Sequence, residues 1–277
     1  MFAAAIVVFR ESLEAALIIS IMAAATRGIS QRARWIVAGV VAGIAGAALV
    51  ASSMGAISDW ASGMGQEWFN IAILSLAVVM LAWHNIWMAV HGKEMAAHAS
   101  DAARSVLDGS RERSVIFTVV ALAVLREGSE TVLFLYSMAT SDEGGLQSTL
   151  LGGGAGLAAG VLVGALMYGG LLRVPLRWFF AVTGALVLLL AASMASQVAR
   201  FLVQADVLPS WGAPLWDTSE VLSQSSALGS LLHGIMGYDP QPAGMQLVFY
   251  ATAIVVILIG MRLAAPKPAP IQAATAA

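Results

Sequence analysis

The chain has 277 residues, 59% of them hydrophobic and only 11% charged, with a mean hydropathy of +0.84. A soluble domain carries about twice that charged fraction, and a net charge of −2 leaves no basic excess for nucleic acid or a polybasic lipid-binding surface. The absence of cysteine excludes disulfides, thiolate metal sites and iron–sulfur clusters, so any metal must be held by oxygen or imidazole nitrogen.

Seven apolar runs follow in chain order, at 2–26, 35–57, 69–90, 114–140, 149–172, 177–203 and 246–263. Each approaches or exceeds the roughly 20 residues needed to cross a bilayer core. The expected fold class is therefore an all-α integral membrane protein with seven transmembrane helices. The first run is read as a mature helix rather than a signal peptide, because it lacks a basic leader and is interrupted by Arg10, Glu11 and Glu14. The connection after it holds Arg27, Arg32 and Arg34. The third holds Lys93, Arg104, Arg111 and Arg113, the fifth Arg173 and Arg177, and the tail Arg262 and Lys267. The second, fourth and sixth connections hold no Lys or Arg, so the odd connections are expected in the cytoplasm, with the N-terminus outside and the C-terminus inside. Gly39 and Gly43 in the second span, and Gly156, Gly160 and Gly164 in the fifth, recur every four residues and are read as close-packing stripes. The 13 methionines are scattered and are read as packing residues.

The first span contains Arg10-Glu11-Ser12-Leu13-Glu14 and the fourth Arg126-Glu127-Gly128-Ser129-Glu130, both Arg-Glu-x-x-Glu. A charge at the bilayer centre costs roughly 2.5–3.5 kcal/mol on insertion scales, so six of them point to function. At about 100° per residue the two glutamates of each motif share a helix face, and each arginine lies in the same arc as its i+4 glutamate. If the two spans face each other, four carboxylates meet, and carboxylate oxygens suit hard cations. The arginines, Arg10 and Arg126, would offset the charge of the empty cluster and give way when a cation arrives. The first motif span runs inward and the fourth runs outward, so spans 1–3 and 4–6 form an inverted pair of repeats with a seventh span added, a transporter architecture. The expected organisation is repeat one over 1–92, repeat two over 114–203, an outer loop over 204–245, helix seven over 246–263 and a short tail over 264–277.

Two further groups are legible. Asp206, Asp217, Glu220, His233 and Asp239 in the sixth connection, with Asp59, Glu67, Asp142 and Glu143, make the outer face acidic and would concentrate cations there. Asp217 and Glu220 read as a helix start ahead of Val221, Leu222, Leu228, Leu231, Leu232 and Ile235, with Glu220 the preferred entrance ligand. His84, His91 and His98 recur every seven residues from the third span onward and mark a candidate exit path.

With its two motifs, seven spans, outward N-terminus and long outer loop, the chain resembles the oxidase-dependent iron transporter family, which includes fungal high-affinity iron permeases and bacterial EfeU-type permeases. The resemblance covers nearly the whole chain. It implies inward iron transport across the cytoplasmic (inner) membrane, with Glu11, Glu14, Glu127 and Glu130 carrying the ion and Arg10 and Arg126 supporting them. It also implies iron as substrate rather than as a permanently bound cofactor, and an extracellular or periplasmic iron oxidase or iron-binding protein as partner. The family's usual Arg-Glu-Gly-Leu-Glu has Gly where this chain has Ser12 and Leu where it has Ser129; each change adds a hydroxyl, as an extra ligand or a helix bond. Relatives often open helix three with an acidic residue beside Gly, whereas here the stretch is Gln66-Glu67-Trp68-Phe69-Asn70-Ile71, with Asn70 in that place. A transporter of another divalent metal such as manganese shares every feature. A haem oxidoreductase would need axial histidines on facing helices, and His84 and His91 share one span. A non-transporting membrane scaffold is the remaining alternative.

Overall fold

A computed structural model describes residues 1–264 except 62–65, 111, 141–144, 171–175 and 213, with side chains described outside 55–67, 89, 92, 93, 95, 96 and 176–180. Among the described residues the chain forms helices only: α1 (Phe2–Ala25), α2 (Arg32–Ala61), α3 (Gln66–Leu107), α4 (Ser114–Thr140), α5 (Gly145–Tyr168), α6 (Leu176–Gln204), α7 (Ala227–Met236) and α8 (Gly244–Ala264). Five contain apolar stretches long enough to cross a membrane: Arg32–Met54, Trp68–Met88, Gly145–Tyr168, Ala181–Gln204 and Gly244–Ala264. The two other long helices, α1 and α4, match them in length, at 24 and 27 residues, but each carries the three charges of its Arg-Glu-x-x-Glu motif.

Two elements differ from the sequence expectation. The third helix does not stop near residue 90 but continues to Leu107, so Lys93 and Arg104 sit on a helix rather than in a loop. Its 42 residues span about 63 Å, twice a hydrocarbon core, so nearly half of it, beyond Met88, extends past the apolar stretch. The stretch after Gly92 is rich in alanine and other helix formers, and Gly109, in the left-handed region at φ 72°, turns the chain away. The outer helix starts later than expected. Residues 217–226 are turns, and α7 begins only after Ser226, whose hydroxyl accepts from the Gly229 amide at 3.0 Å. Asp217 instead accepts from the Ser219 amide at 2.9 Å, a local turn that competes with helix initiation.

The packing is crossed. α1 lies chiefly against α5, and α2 against α4. The glycine stripes explain both contacts. A Cβ added at Gly160 would stand 2.6 Å from the Ser12 Cβ, and one at Gly164 2.5 Å from the Ala16 Cβ. On the other pair, Gly39 faces Phe117 and Val120, and a Cβ at Gly43 would stand 2.6 Å from that of Val124. The contacts advance together along both chains, so α1 runs parallel to α5 and α2 parallel to α4. By contrast α1 and α4 are antiparallel: Ile18 and Met22 share a core cluster with Ile116 and Val120, while Val7 shares another with Phe134. Exchanging α1 with α4 and α2 with α5 maps one crossed pair onto the other.

Candidate metal centre

The antiparallel crossing of α1 and α4 brings the two motifs to one level. Glu11 from α1 and Glu127 from α4 face each other across the interface, with one carboxylate oxygen of each within 4.8 Å of the other. Two carboxylates that close repel unless a cation lies between them. Behind them Arg10 holds its own motif together, 3.3 Å from Glu11 and 3.0 Å from Glu14. Arg126 does the same on α4, 3.7 Å from Glu127 and 3.3 Å from Glu130. The i+4 pairing expected of each motif is therefore present in both helices.

The third wall comes from α3. His84 lies between the motifs, with Nδ1 in contact with Glu130 and Nε2 3.6 Å from Glu14. One ligand atom from each of Glu11, His84, Glu127 and Glu130 falls within 4.8 Å of the others. Oxygen- and nitrogen-liganded cations hold their donors at about 2.0–2.5 Å, so opposite ligands stand about 4–5 Å apart. The spacing is that of an ion's first shell. Glu14, expected as the fourth carboxylate, stands one step back between Arg10 and His84. His84 is the fourth member of the close group.

Burial is severe. Arg10, Glu11, Glu14 and His84 are each 3% exposed or less, and Glu127 is 5% exposed. One buried oxygen each of Glu11 and Glu127 lacks a hydrogen-bond partner, as does the Nε of Arg10. Unpartnered buried acceptors are costly, and a bound cation would satisfy them. The two arginines are not equivalent. Arg126 is 34% exposed, with its guanidinium 4.3 Å from the Trp87 ring centre, whereas Arg10 is enclosed.

The remaining sequence candidates are dispersed. The Ser129 hydroxyl donates to the Arg126 carbonyl at 2.9 Å and so is a helix bond, and Ser12 packs its Cβ toward Gly160 of α5. His91 stacks on Trp87 with ring centroids 5.1 Å apart and lies outside the cluster, and His98 is exposed. Asn70 is buried on the same stripe of α3 as His84, four turns away, with its Oδ1 unpartnered. Asp217 is engaged by Ser219 and by Gln241, whose amide donates at 2.7 Å, so it ties the outer loop together; Glu220 is solvent-exposed. Bonds from Ser219, then Gln241, hold the Asp217 carboxyl below the usual carboxylate range. Glu67, Asp59, Asp142 and Glu143 lie outside the residues whose side chains are described.

Sequence reasoning missed one support. Asn85, beside His84, is buried and donates to the Gly184 carbonyl at 3.0 Å, which locks α3 to α6 at the level of the site. On the side of Val7 and Phe134 the cluster is closed over by apolar side chains. Val7 and Phe134, each one turn beyond a motif, and Leu74 and Leu81 of α3 are at most 1% exposed within one core cluster.

Comparison with known proteins adds one consistent finding. The Iron permease FTR1 family model matches residues 1–267. The chain is 32% identical over 269 residues to "Ferrous iron permease EfeU" of Shigella sonnei (strain Ss046), covering 95% of this chain and 96% of that one. It is 33% identical over 266 residues to the protein of that name from Escherichia coli O6:H1, at 94% of each chain, and 31% identical over 264 residues to that of Yersinia pestis, at 94% and 92%. No solved structure matches.

Proposed function

This chain belongs to the iron permease FTR1 family, and from that membership we propose that it moves ferrous iron inward across the cytoplasmic membrane through the cluster of Glu11, His84, Glu127 and Glu130. The convergence of those four ligand atoms within 4.8 Å, deep among apolar helices, carries the reading. Family membership supports a transported iron ion as substrate, and the relatives bear the name of ferrous iron permeases. The ligand set agrees. Imidazole among carboxylates suits iron better than it suits magnesium, calcium or manganese, which favour oxygen alone.

The same reading takes α1 to α6 and α8 as seven spans, with the N-terminus outside and the C-terminus inside. The distribution of Lys and Arg supports the orientation. The parallel pairs α1–α5 and α2–α4, related by exchange of the two halves, support an inverted repeat. Cations collect at the acidic outer face and pass the apolar layer of Val7, Leu74 and Phe134 only when the helices part. They are then exchanged between carboxylates as Arg10 and Arg126 turn aside. An inside-negative potential favours entry by about 2.3 kcal/mol per charge per 100 mV, so the gradient itself can drive transport. An oxidase or iron-binding protein at the outer face fits the family as a partner.

The test is uptake of ⁵⁵Fe²⁺ into proteoliposomes under an inside-negative potential, with Mn²⁺ as competitor. Saturable uptake that disappears in Glu127→Gln supports the proposal. Equal uptake by the variant removes the cluster from the path, and stronger uptake of Mn²⁺ would reassign the substrate.

A further inference from the structure

Between the two crossed helix pairs lies a groove of about 790 Å³ that the transport reading does not use. Its walls are α2 on one side and α5 on the other. Its floor is the α1–α4 crossing, where Glu11 and Glu127 present their membrane-side edges. Along α5 the lining runs from Leu150 to Tyr168, about 27 Å and close to the full hydrocarbon depth. The walls are apolar and exposed: Val37 is 60% exposed, Ile44 57%, Leu157 52% and Val161 58%. Positive charge enters at the end near the α1–α2 turn. There Arg32 lines the groove, held by donation to the Ala23 carbonyl at 3.0 Å, and Arg27 places its guanidinium 5.9 Å from the Tyr168 ring centre.

We propose that this groove binds an anionic phospholipid, with its phosphate on Arg32 and Arg27 and an acyl chain running up to the backs of Glu11 and Glu127. Three observations select a lipid. An arginine at one end of a long apolar slot is complementary to an anionic headgroup on a hydrocarbon tail. Arg32 spends one donor on Ala23 and has four left for a phosphate. The third concerns a helix from a second copy as occupant. Helix contacts in bilayers use small residues, and the small stripes of α2 and α5 are already spent on α4 and α1. Over a floor of small residues the walls carry Val37, Val40, Ile44, Leu157 and Val161, branched side chains that leave an uneven slot suited to a flexible chain.

The consequence for the site is a seal. Glu11 and Glu127 line the groove at 1% and 5% exposure, so protein already screens them and the occupant thickens that screen on the bilayer side. A bound chain keeps water and ions on the path between the motifs. This consequence rests on the iron-transport reading; the binding site itself does not.

The experiment is native mass spectrometry of the full chain after exchange into micelles with dioleoylphosphatidylglycerol or dioleoylphosphatidylcholine. The expected result is one phosphatidylglycerol retained per chain. Arg32→Gln should lower retention about fivefold, the effect of one arginine at a lipid surface, and leave phosphatidylcholine unchanged. Val161→Trp, which fills the slot far from any charge, should abolish retention, and Leu157→Trp provides the same block should that variant fail to fold. Equal retention of both lipids, or unchanged retention in Arg32→Gln, would overturn the proposal. So would a lipid-free mass of two chains, which would give the groove to a second copy. Wild-type protein that keeps the lipid but takes up no iron would sink the transport reading and leave the lipid site standing.

Discussion

At the scale of single residues, the site separates ligands from scaffolding by what each side chain already holds. The Ser129 hydroxyl is committed to a backbone carbonyl, whereas oxygens of Glu11 and Glu127 are buried without partners. Glu127→Gln and Glu11→Gln keep shape but lose the charge that replaces an ion's water. Each should reduce iron uptake about tenfold or more, at least about 1.4 kcal/mol. Ser129→Ala should leave uptake at the wild-type level, and ⁵⁵Fe²⁺ flux normalised to protein in the membrane would decide. A Ser129→Ala defect as deep as the glutamate variants would show that the hydroxyl is a ligand. His84 should behave as a ligand: His84→Ala should cost as much as Glu127→Gln, while Asn85→Ala should lower thermal stability, losing its bond to Gly184. The glutamates were legible because charge inside an apolar run is conspicuous. The role of His84 was not, because its seven-residue spacing to His91 and His98 suggested a path along one helix. Only the third helix's position between α1 and α4 makes it a bridge between motifs.

At the scale of elements, close packing sets the position of the motif helices. An added methyl at Gly43 or Gly160 would meet a β-carbon at 2.6 Å, and β-carbons cannot swing aside, so the helices must separate. Gly43→Ala and Gly160→Ala should each destabilise by about 1–3 kcal/mol, the usual cost of overpacking. Gly154→Ala is the control, since nothing lies within 4 Å of its added methyl, and it should be neutral or slightly stabilising. Thermal melting in detergent measures all three, and a Gly154→Ala loss as large as the others would mean that helix propensity, not contact, sets the cost. The outer loop makes a prediction of its own. Asp217 is held as a carboxylate below its usual range, so its contribution is present above the unfolded carboxylate range of about 3.9 and is lost as pH falls through the lower folded value. Proteolytic protection of residues 217–226 should therefore decline in acid, and Asp217→Asn should remove that dependence. Helix positions were legible from apolar runs because the bilayer sets their length. The ends of α3 and α7 were not. Past the membrane the apolar period stops reporting, and capping by Ser226, or a left-handed Gly109, decides where a helix begins or ends.

At the scale of the whole molecule, the crossed pairing constrains topology more tightly than any single span does. Because α1 is parallel to α5 and antiparallel to α4, the two motifs approach the same level from opposite sides. If α1 enters from outside, α4 must leave from inside, and the connection from α3 to α4 lies on the side opposite the loop that carries α7. Reversing the molecule would place the arginines at 27, 32, 34, 104 and 113 outside, against the charge bias that orients membrane proteins. The native chain lacks cysteine, so a single introduced thiol reports its own side without background. Ser225 and Ser110 are both exposed, one in the turn before α7 and the other between α3 and α4. In intact spheroplasts a membrane-impermeant maleimide should label Ser225→Cys fully and Ser110→Cys only after lysis. The opposite pattern would invert the transporter. Labelling of both in intact cells would mean that α3 and α4 do not cross the bilayer as a pair, and the charged crossing between the motifs would then lie outside the membrane.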